Sequence, residues 1–141
     1  GNKKLYNSLS DKTAGAIRGN ISNAPNLSQS LILDAFNNSN YENEKKKNYK
    51  ILEKRYKLVK DTLKQYDNKY FEPLPFNSGY FMCIKLKGID TEKVRQKLLD
   101  KYNTGLIATG DKLRIAFSST QTSKIEQLFK NINSAINEIA L

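Results

Sequence analysis

A regular apolar seam limits what this chain can fold into more than any other feature. Large apolar side chains recur at alternating steps of three and four residues: Tyr49, Leu52, Tyr56, Val59, Leu63 and Tyr66. This spacing places them on one face of an α-helix of more than about twenty residues. Ser39 and Glu42 precede the seam with the spacing of a capping box. The chain therefore needs a second layer to cover one side of a long helix.

Strand-like segments after the seam can supply that layer. Residues 79–86 alternate, with four apolar side chains on one face: Tyr80, Met82, Ile84 and Leu86. Residues 112–118 alternate too, with three: Leu113, Ile115 and Phe117. Residues 106–108 predict a shorter strand. Residues 71–75 predict an extended connector, because Pro73 and Pro75 are incompatible with a helix.

Two more helices complete the pattern. Asp90 or Thr91 caps the first, which Gly105 is expected to close. Its apolar positions are Val94, Leu98, Leu99 and Tyr102. The second begins near a capping box formed by Ser123 and Glu126. Its apolar positions are Ile125, Leu128, Phe129, Ile132, Ile136 and Ile139. The order predicts an α+β fold, with helices packed on one side of a small, mainly antiparallel sheet.

Residues 1–38 do not form a self-contained pattern. A weak helical stripe is interrupted by Gly15 and ends near Gly19. Its apolar positions are Leu5, Leu9, Ala16 and Ile17. After a turn, residues 26–36 predict a short helix that buries Leu27, Leu31 and Phe36. Because residues 37–40 read Asn-Asn-Ser-Asn, we predict a domain boundary here, between residues 1–38 and residues 39–141.

The composition excludes several classes of site. Cys83 is the only cysteine and histidine is absent, so the chain has no internal disulfide and no multi-cysteine metal site. The usual zinc, heme and serine-protease arrangements also lack their residues. No apolar run approaches the ~20 residues that cross a bilayer, and no signal peptide opens the sequence. We expect a protein of the cytoplasm without a metal.

The formal net charge of +10 has two interpretations. Clustered lysines would suit a nucleic-acid binder, and alternating Tyr and Lys could stack on single strands. However, much of the charge lies in residues 42–69, where the long helix is predicted. A solvated helix face is the more common reason for such a run. The pattern therefore favours a chain that does not bind nucleic acid.

Three motifs in a fixed order carry a family resemblance. The first is Arg18-Gly-Asn-Ile-Ser22-Asn23-Ala-Pro25, the second Asn77-Ser78-Gly79-Tyr80-Phe81, and the third Leu113-Arg114-Ile115-Ala116-Phe117. Together with the final amphipathic helix they resemble the C-terminal part of the fold-type I (class I/II) pyridoxal-phosphate-dependent aminotransferases. The resemblance spans essentially the whole chain. It implies that residues 1–38 end the large domain and that residues 39–141 form the C-terminal small domain.

The resemblance also implies an activity. The full-length enzyme would be a homodimer that transfers an amino group between an amino acid and a 2-oxo acid, with pyridoxal phosphate as cofactor. In this family the lysine that binds the cofactor precedes the motif at Arg18, so it is expected upstream of Gly1. The chain would then contain no catalytic and no cofactor-binding residue. We expect it to be inactive by itself.

Substrate recognition is the role that the resemblance leaves to this chain. Arg114 matches the arginine that binds the substrate α-carboxylate, a task suited to a planar guanidinium with two parallel hydrogen bonds. Arg18 matches the position at which aspartate-type members bind a distal carboxylate in the partner subunit's site, but other members keep an arginine there without that specificity. Phe81 is expected to line the substrate pocket or to pack in the core. Cys83 is expected to be a small apolar strand residue.

Two other functions stay open at this point. One is a basic α+β module that binds RNA or a regulatory ligand, which would explain the charge but not the motif that begins at Arg18. The other is a fold-type I lyase or decarboxylase, whose small domain would look the same.

Overall fold

A computed structural model describes residues 1–22, 25–66, 69–77 and 79–140. The chain divides into two compact units, which we call the helical unit (Gly1–Lys45) and the sheet unit (Lys46–Leu141). The division falls within one helix, Tyr41–Leu63. The assignment of residues 1–38 and 39–141 to two domains of a larger enzyme stays a prediction.

The helical unit contains α1 (Lys3–Asn20), α2 (Asn26–Asn37) and the start of α3 (Tyr41–Leu63). No residue of α1 or α2 is buried. The prediction that α2 buries Leu27, Leu31 and Phe36 is therefore wrong for this chain, since their exposed fractions are 73%, 60% and 59%. An apolar stripe is buried only where another layer covers it, and the described residues of this unit supply none.

Asn38 organises the start of α3 in place of the predicted Ser39–Glu42 box. Its side-chain oxygen accepts a hydrogen bond from the N–H of Asn40 at 2.8 Å, and its carbonyl accepts one from the N–H of Tyr41 at 3.0 Å. Asparagine side chains favour such turns, because they accept a hydrogen bond from the backbone two residues further on. The helix ends at Leu63, earlier than the charge run suggested. Asp67 and Asn68 of that run lie outside the described residues.

The sheet unit is built on four antiparallel strands in the order β1-β2-β4-β3. Their ranges are β1 Phe71–Pro73, β2 Met82–Leu86, β3 Ile107–Thr109 and β4 Lys112–Ile115. The predicted connector at residues 71–75 is thus partly a strand. Pro73 is tolerated there because β1 lies at the edge of the sheet.

Two more helices belong to the sheet unit, one between β2 and β3 and one after β4. Asp90 caps α4 (Thr91–Tyr102), accepting hydrogen bonds from the backbone N–H groups of Glu92 and Lys93. The helix is closed by Asn103, whose φ is 47°, directly after Tyr102, and not by the predicted Gly105. Asparagine is the common alternative to glycine in this left-handed conformation. A short 3-10 turn, Thr122–Lys124, leads into α5 (Ile125–Ala140) where a capping box was predicted.

One hydrophobic core holds the sheet unit together. The strands and the turn after β4 contribute Phe71, Met82, Ile84, Leu86, Leu113, Ile115 and Phe117. The helices contribute Val59, Leu63, Val94, Leu98, Ile125, Phe129, Ile132, Ala135 and Ile136. The predicted α+β fold, with helices on one side of an antiparallel sheet, is confirmed. Three predicted core residues are instead mostly exposed: Tyr49, Tyr80 and Leu99.

Candidate functional site

Strand alternation turns Arg114 away from the core. Its neighbours Leu113 and Ile115 are fully buried, so Arg114 lies on the opposite, outer face of the sheet, where it is exposed. The register places Cys83 of β2 and Ile107 of β3 directly beside it. Arg114 therefore has strands on both sides, which fix its backbone more firmly than a loop would.

An aromatic ring positions the Arg114 side chain. The guanidinium carbon lies 4.7 Å from the centre of the Phe81 ring. Such a contact contributes about 0.5–1 kcal/mol at an exposed site. Among the residues that the structure describes, none forms a hydrogen bond or an ion pair with Arg114. The ring thus holds the guanidinium through its face while the N–H edges stay available to an anion.

Phe81 reaches this position because of the turn that precedes it. Gly79 has a φ of 92°, a conformation that an L-amino acid adopts with strain. A Cβ at Gly79 would meet no atom within 4 Å, so the requirement is conformational and not one of space. The carbonyl of Tyr80 then accepts a hydrogen bond from the N–H of Ser118 at 3.3 Å. Ser78, inside the motif, lies outside the described residues.

The predicted core residues Tyr49 and Tyr80 belong to a groove and not to the core. They line a cavity of about 320 Å³ together with residues of α3 and of the turn at Gly79. Tyr49 lies near the start of the sheet unit, and Tyr80 lies before Met82, the first residue of β2. The apolar pattern of the helix and of the strand therefore extends to Tyr49 and Tyr80, although neither residue is buried.

Acidic groups on the outer face are paired with lysines. Asp111 forms ion pairs with Lys112 and, at 3.9 Å, with Lys85. The hydrogen bond from Lys112 lowers the pKa of the Asp111 carboxyl. At the far edge, Glu72 pairs with Lys87 at 3.7 Å. The carboxylates of this face are thus balanced by ammonium groups, which leaves the positive charge of Arg114 unneutralised.

Arg18, the other predicted arginine, belongs to the helical unit. It lies in the last turn of α1, where its Nη1 donates a hydrogen bond to Oγ of Ser22 at 2.7 Å. Ser22 has a φ of 63°. The contact joins the first and fifth residues of the motif, whereas Asn23 and Ala24 lie outside the described residues.

The sequence interpretation gave no role to Arg55. Its Nη1 donates a hydrogen bond to the carbonyl of Ser118, and its Nε is buried without a partner among the described residues. A signal was present in the sequence, because Arg55 is the only arginine in α3, where all the other cations are lysines.

Comparison with known proteins identifies the family to which this fold belongs. The chain belongs to the family of class I and class II aminotransferases, because the model of that family, described as "Aminotransferase class I and II", matches residues 7–132. The family resemblance stated from the three motifs is confirmed. Among curated proteins, the comparison finds no significant match.

Solved structures show the same fold. LysN, an α-aminoadipate aminotransferase from Thermus thermophilus complexed with N-(5'-phosphopyridoxyl)-L-leucine, matches 94% of this chain with a TM-score of 0.81 and 15% identity. An aminotransferase from Anaerococcus prevotii matches 96% of it with a TM-score of 0.79 and 22% identity. The chain spans only 36% and 32% of those two structures.

Neither the outer face of the sheet nor the start of α4 fits pyridoxal phosphate. On the outer face, Lys85 and Lys112 are both ion-paired with Asp111, so neither is a free amine for the aldehyde. At the start of α4, the Asp90 carboxylate already occupies N–H groups that could bind a phosphate. The described part of the chain also contains no group of three acidic or cysteine side chains that could hold a metal, and no helix able to span a membrane.

Proposed function

We propose that this chain is the C-terminal part of a pyridoxal-phosphate-dependent aminotransferase and that Arg114 binds the α-carboxylate of the substrate. The whole enzyme transfers an amino group between an amino acid and a 2-oxo acid. One observation carries the assignment of Arg114. It is an exposed arginine without an acidic partner among the described residues, held against Phe81 on the outer face of a family domain.

The geometry suits carboxylate binding. A planar guanidinium presents two parallel N–H bonds to the two oxygens of a carboxylate, an arrangement that an ammonium group cannot make. Phe81 covers one face of the plane and reduces the freedom that binding would otherwise remove. Strands on both sides fix the Cα of Arg114. Arg114 thus binds and orients the substrate and transfers no proton.

Arg18 has a more specific role in the proposed enzyme. In a homodimer of the cytoplasm, it binds a second, distal carboxylate of the substrate in the partner subunit's site. Its hydrogen bond to Ser22 fixes the guanidinium at the end of α1. A substrate with two carboxylates would then be preferred over one with an apolar side chain.

The rest of the large domain would cover the helical unit. The apolar residues exposed on α2 are Leu27, Leu31, Ile32, Leu33 and Phe36. Soluble proteins rarely leave so many large apolar side chains uncovered on one short helix. Their exposure supports a larger domain in which these helices are one part, and the cofactor site lies in that domain.

Two experiments test this placement of the cofactor. The gene upstream of Gly1 is expected to encode a lysine in a Ser-x-x-Lys context, ~15–45 residues before Arg18 by family analogy. Pyridoxal phosphate added to the purified chain should give no saturable visible band. A band that disappears when one particular lysine is replaced would show that the cofactor site lies inside residues 1–141 and would contradict the proposal.

A second candidate function is a basic module that binds RNA. The observation in its favour is the outward face of α3, where Lys46, Lys50 and Lys54 are exposed and form no ion pair with another described residue. An RNA-binding function would not explain the contact between Phe81 and Arg114, which come from two separate motifs. Binding measurements at two salt concentrations separate the two functions.

A further inference from the structure

We propose that Arg55 is a positioning residue that keeps the Phe81 ring against the guanidinium of Arg114. The inference rests on the proposed function, since it gives Arg55 a role at the carboxylate site. Arg55 itself touches neither residue of the pair. It acts through the backbone of the two segments that carry them.

Three segments of the chain meet at Ser118. From α3, the Nη1 of Arg55 donates a hydrogen bond to the carbonyl of Ser118 in the 3-10 turn Phe117–Ser119. The N–H of the same Ser118 donates to the carbonyl of Tyr80, at 3.3 Å. One residue of the turn thus connects α3 to the segment before β2.

Both partners of the site lie close to this junction in the chain. Tyr80 immediately precedes Phe81, and Ser118 follows Arg114 by four residues. Aromatic packing supports the same region, because Phe76 lies 5.4 Å from Tyr56 of α3 and 6.1 Å from Phe117, measured between ring centres. A shift of the turn would therefore move Tyr80, and with it the Phe81 ring under the guanidinium.

The chemistry of Arg55 favours positioning over stability alone. No described residue supplies a hydrogen-bond acceptor for its buried Nε, which carries a free-energy cost. An apolar side chain would fill the same space without that cost. Lysine, which α3 uses at its other cationic positions, would reach a carbonyl with a flexible point charge and not with a rigid plane. The guanidinium fixes the direction of its contact with Ser118.

Side-chain NMR of the 141-residue chain tests this inference. The chain has only four arginines (Arg18, Arg55, Arg95 and Arg114), so their Nε–H signals can be assigned one by one. The Phe81→Leu variant gives the Arg114 signal without the ring. We expect Arg55→Met to move the Arg114 signal toward that value, and Arg55→Lys to move it less. Arg95→Met, which breaks only the pair with Glu92, is the matched control and should not move it.

The outcomes separate this inference from the proposed function. An Arg114 signal that stays at its original position in a folded Arg55→Met chain overturns the inference. If both Arg55 variants fail to fold, Arg55 holds the fold and not the site, and the inference is equally wrong. Titrating the original chain with acetate tests carboxylate binding separately. If the Arg114 signal responds to Arg55→Met but not to acetate, the positioning role stands and the proposed function fails.

Discussion

At the scale of single residues, the site depends on backbone conformation as much as on side-chain chemistry. Strand alternation alone predicts that Arg114 faces away from Leu113 and Ile115, and the structure agrees. The contact with Phe81 could not be predicted in this way. It requires the chain to turn at Gly79, and the sequence shows a glycine without showing its φ of 92°.

Replacing Gly79 with alanine tests that turn. A left-handed conformation costs an L-residue about 1–2 kcal/mol, so Gly79→Ala should lower the free energy of unfolding by about this amount. Gly105→Ala is the matched control, because Gly105 has neither a positive φ nor an atom near its Cβ position. Urea unfolding measures both variants. Equal effects at the two sites would show that the turn at Gly79 is not strained.

At the scale of elements, a single carboxylate links α4 to α5. Glu138 of α5 accepts hydrogen bonds from Lys101 at 2.6 Å, from the hydroxyl of Tyr102 at 2.6 Å and from Lys97 at 3.2 Å. The hydrogen bond from Lys101 contributes most to lowering the Glu138 pKa, from 4.5 to about 2. Three donors from one helix thus stabilise the charged form of one residue on the other.

Glu138 should make stability depend on pH in the acid range. Because its pKa is lowered in the folded state, its contribution is present above pH 4.5 and is lost as the pH falls toward about 2. Glu138→Gln should therefore be less stable than the original chain at neutral pH and equally stable near pH 2. Urea midpoints across this range measure the difference. Asp100→Asn, at an exposed position of α4, is the control; a pH-independent effect of Glu138→Gln would contradict the account.

Two neighbouring leucines of α4 test the packing of the helices. Leu98 is fully buried, whereas Leu99 is 50% exposed. Leu98→Ala should lower the free energy of unfolding by about 2–5 kcal/mol, because it leaves a cavity in the core. Leu99→Ala should stay within about 0.5 kcal/mol of the original chain. Similar losses in denaturant unfolding would show that α4 packs with a different face.

The ends of elements were harder to predict than their centres. The apolar centres of α4 and α5 follow from helical spacing, and the predicted Val94, Leu98, Phe129 and Ile132 are all buried. The ends depend on which local residue forms the cap or turn. Asn38 forms the turn before α3 where Ser39 was predicted to cap, and Asn103 closes α4 where Gly105 was predicted. The edge strand β1 could not be predicted in this way, because Pro73 within it and Pro75 after it indicate a connector, although an edge strand needs few N–H donors for its pairing.

At the scale of the whole molecule, the charge of +10 should not produce specific nucleic-acid binding. If Lys46, Lys50 and Lys54 form a solvated face, RNA should bind weakly, without sequence preference, and less as salt rises from about 50 to about 200 mM. Replacing these three lysines with glutamine should weaken binding equally for every sequence. Sub-micromolar, sequence-selective binding at physiological salt would favour the RNA module.

The fold could largely be predicted from the sequence, because most core residues recur with the spacing of a helix or of a strand. The candidate site could be predicted only in part. Arg114 and Phe81 come from motifs, but Arg55 is separated from Ser118 by 63 residues and no periodicity relates them. Burial of α2 was predicted from its own pattern, although burial depends on a second layer that the described residues do not include.

The kinetic effect of Arg114→Lys tests the central claim most directly. In the isolated chain the change should alter the free energy of unfolding by no more than about 0.5 kcal/mol, because Arg114 is exposed. In the longer enzyme it should remove about 3 kcal/mol of transition-state stabilisation. The value of kcat/KM for the amino-acid substrate should therefore fall roughly a hundredfold. Arg95→Lys, at an exposed ion pair, is the matched control and should leave kcat/KM unchanged. An Arg114→Lys enzyme with unchanged kcat/KM would contradict the assignment of Arg114 to the substrate carboxylate.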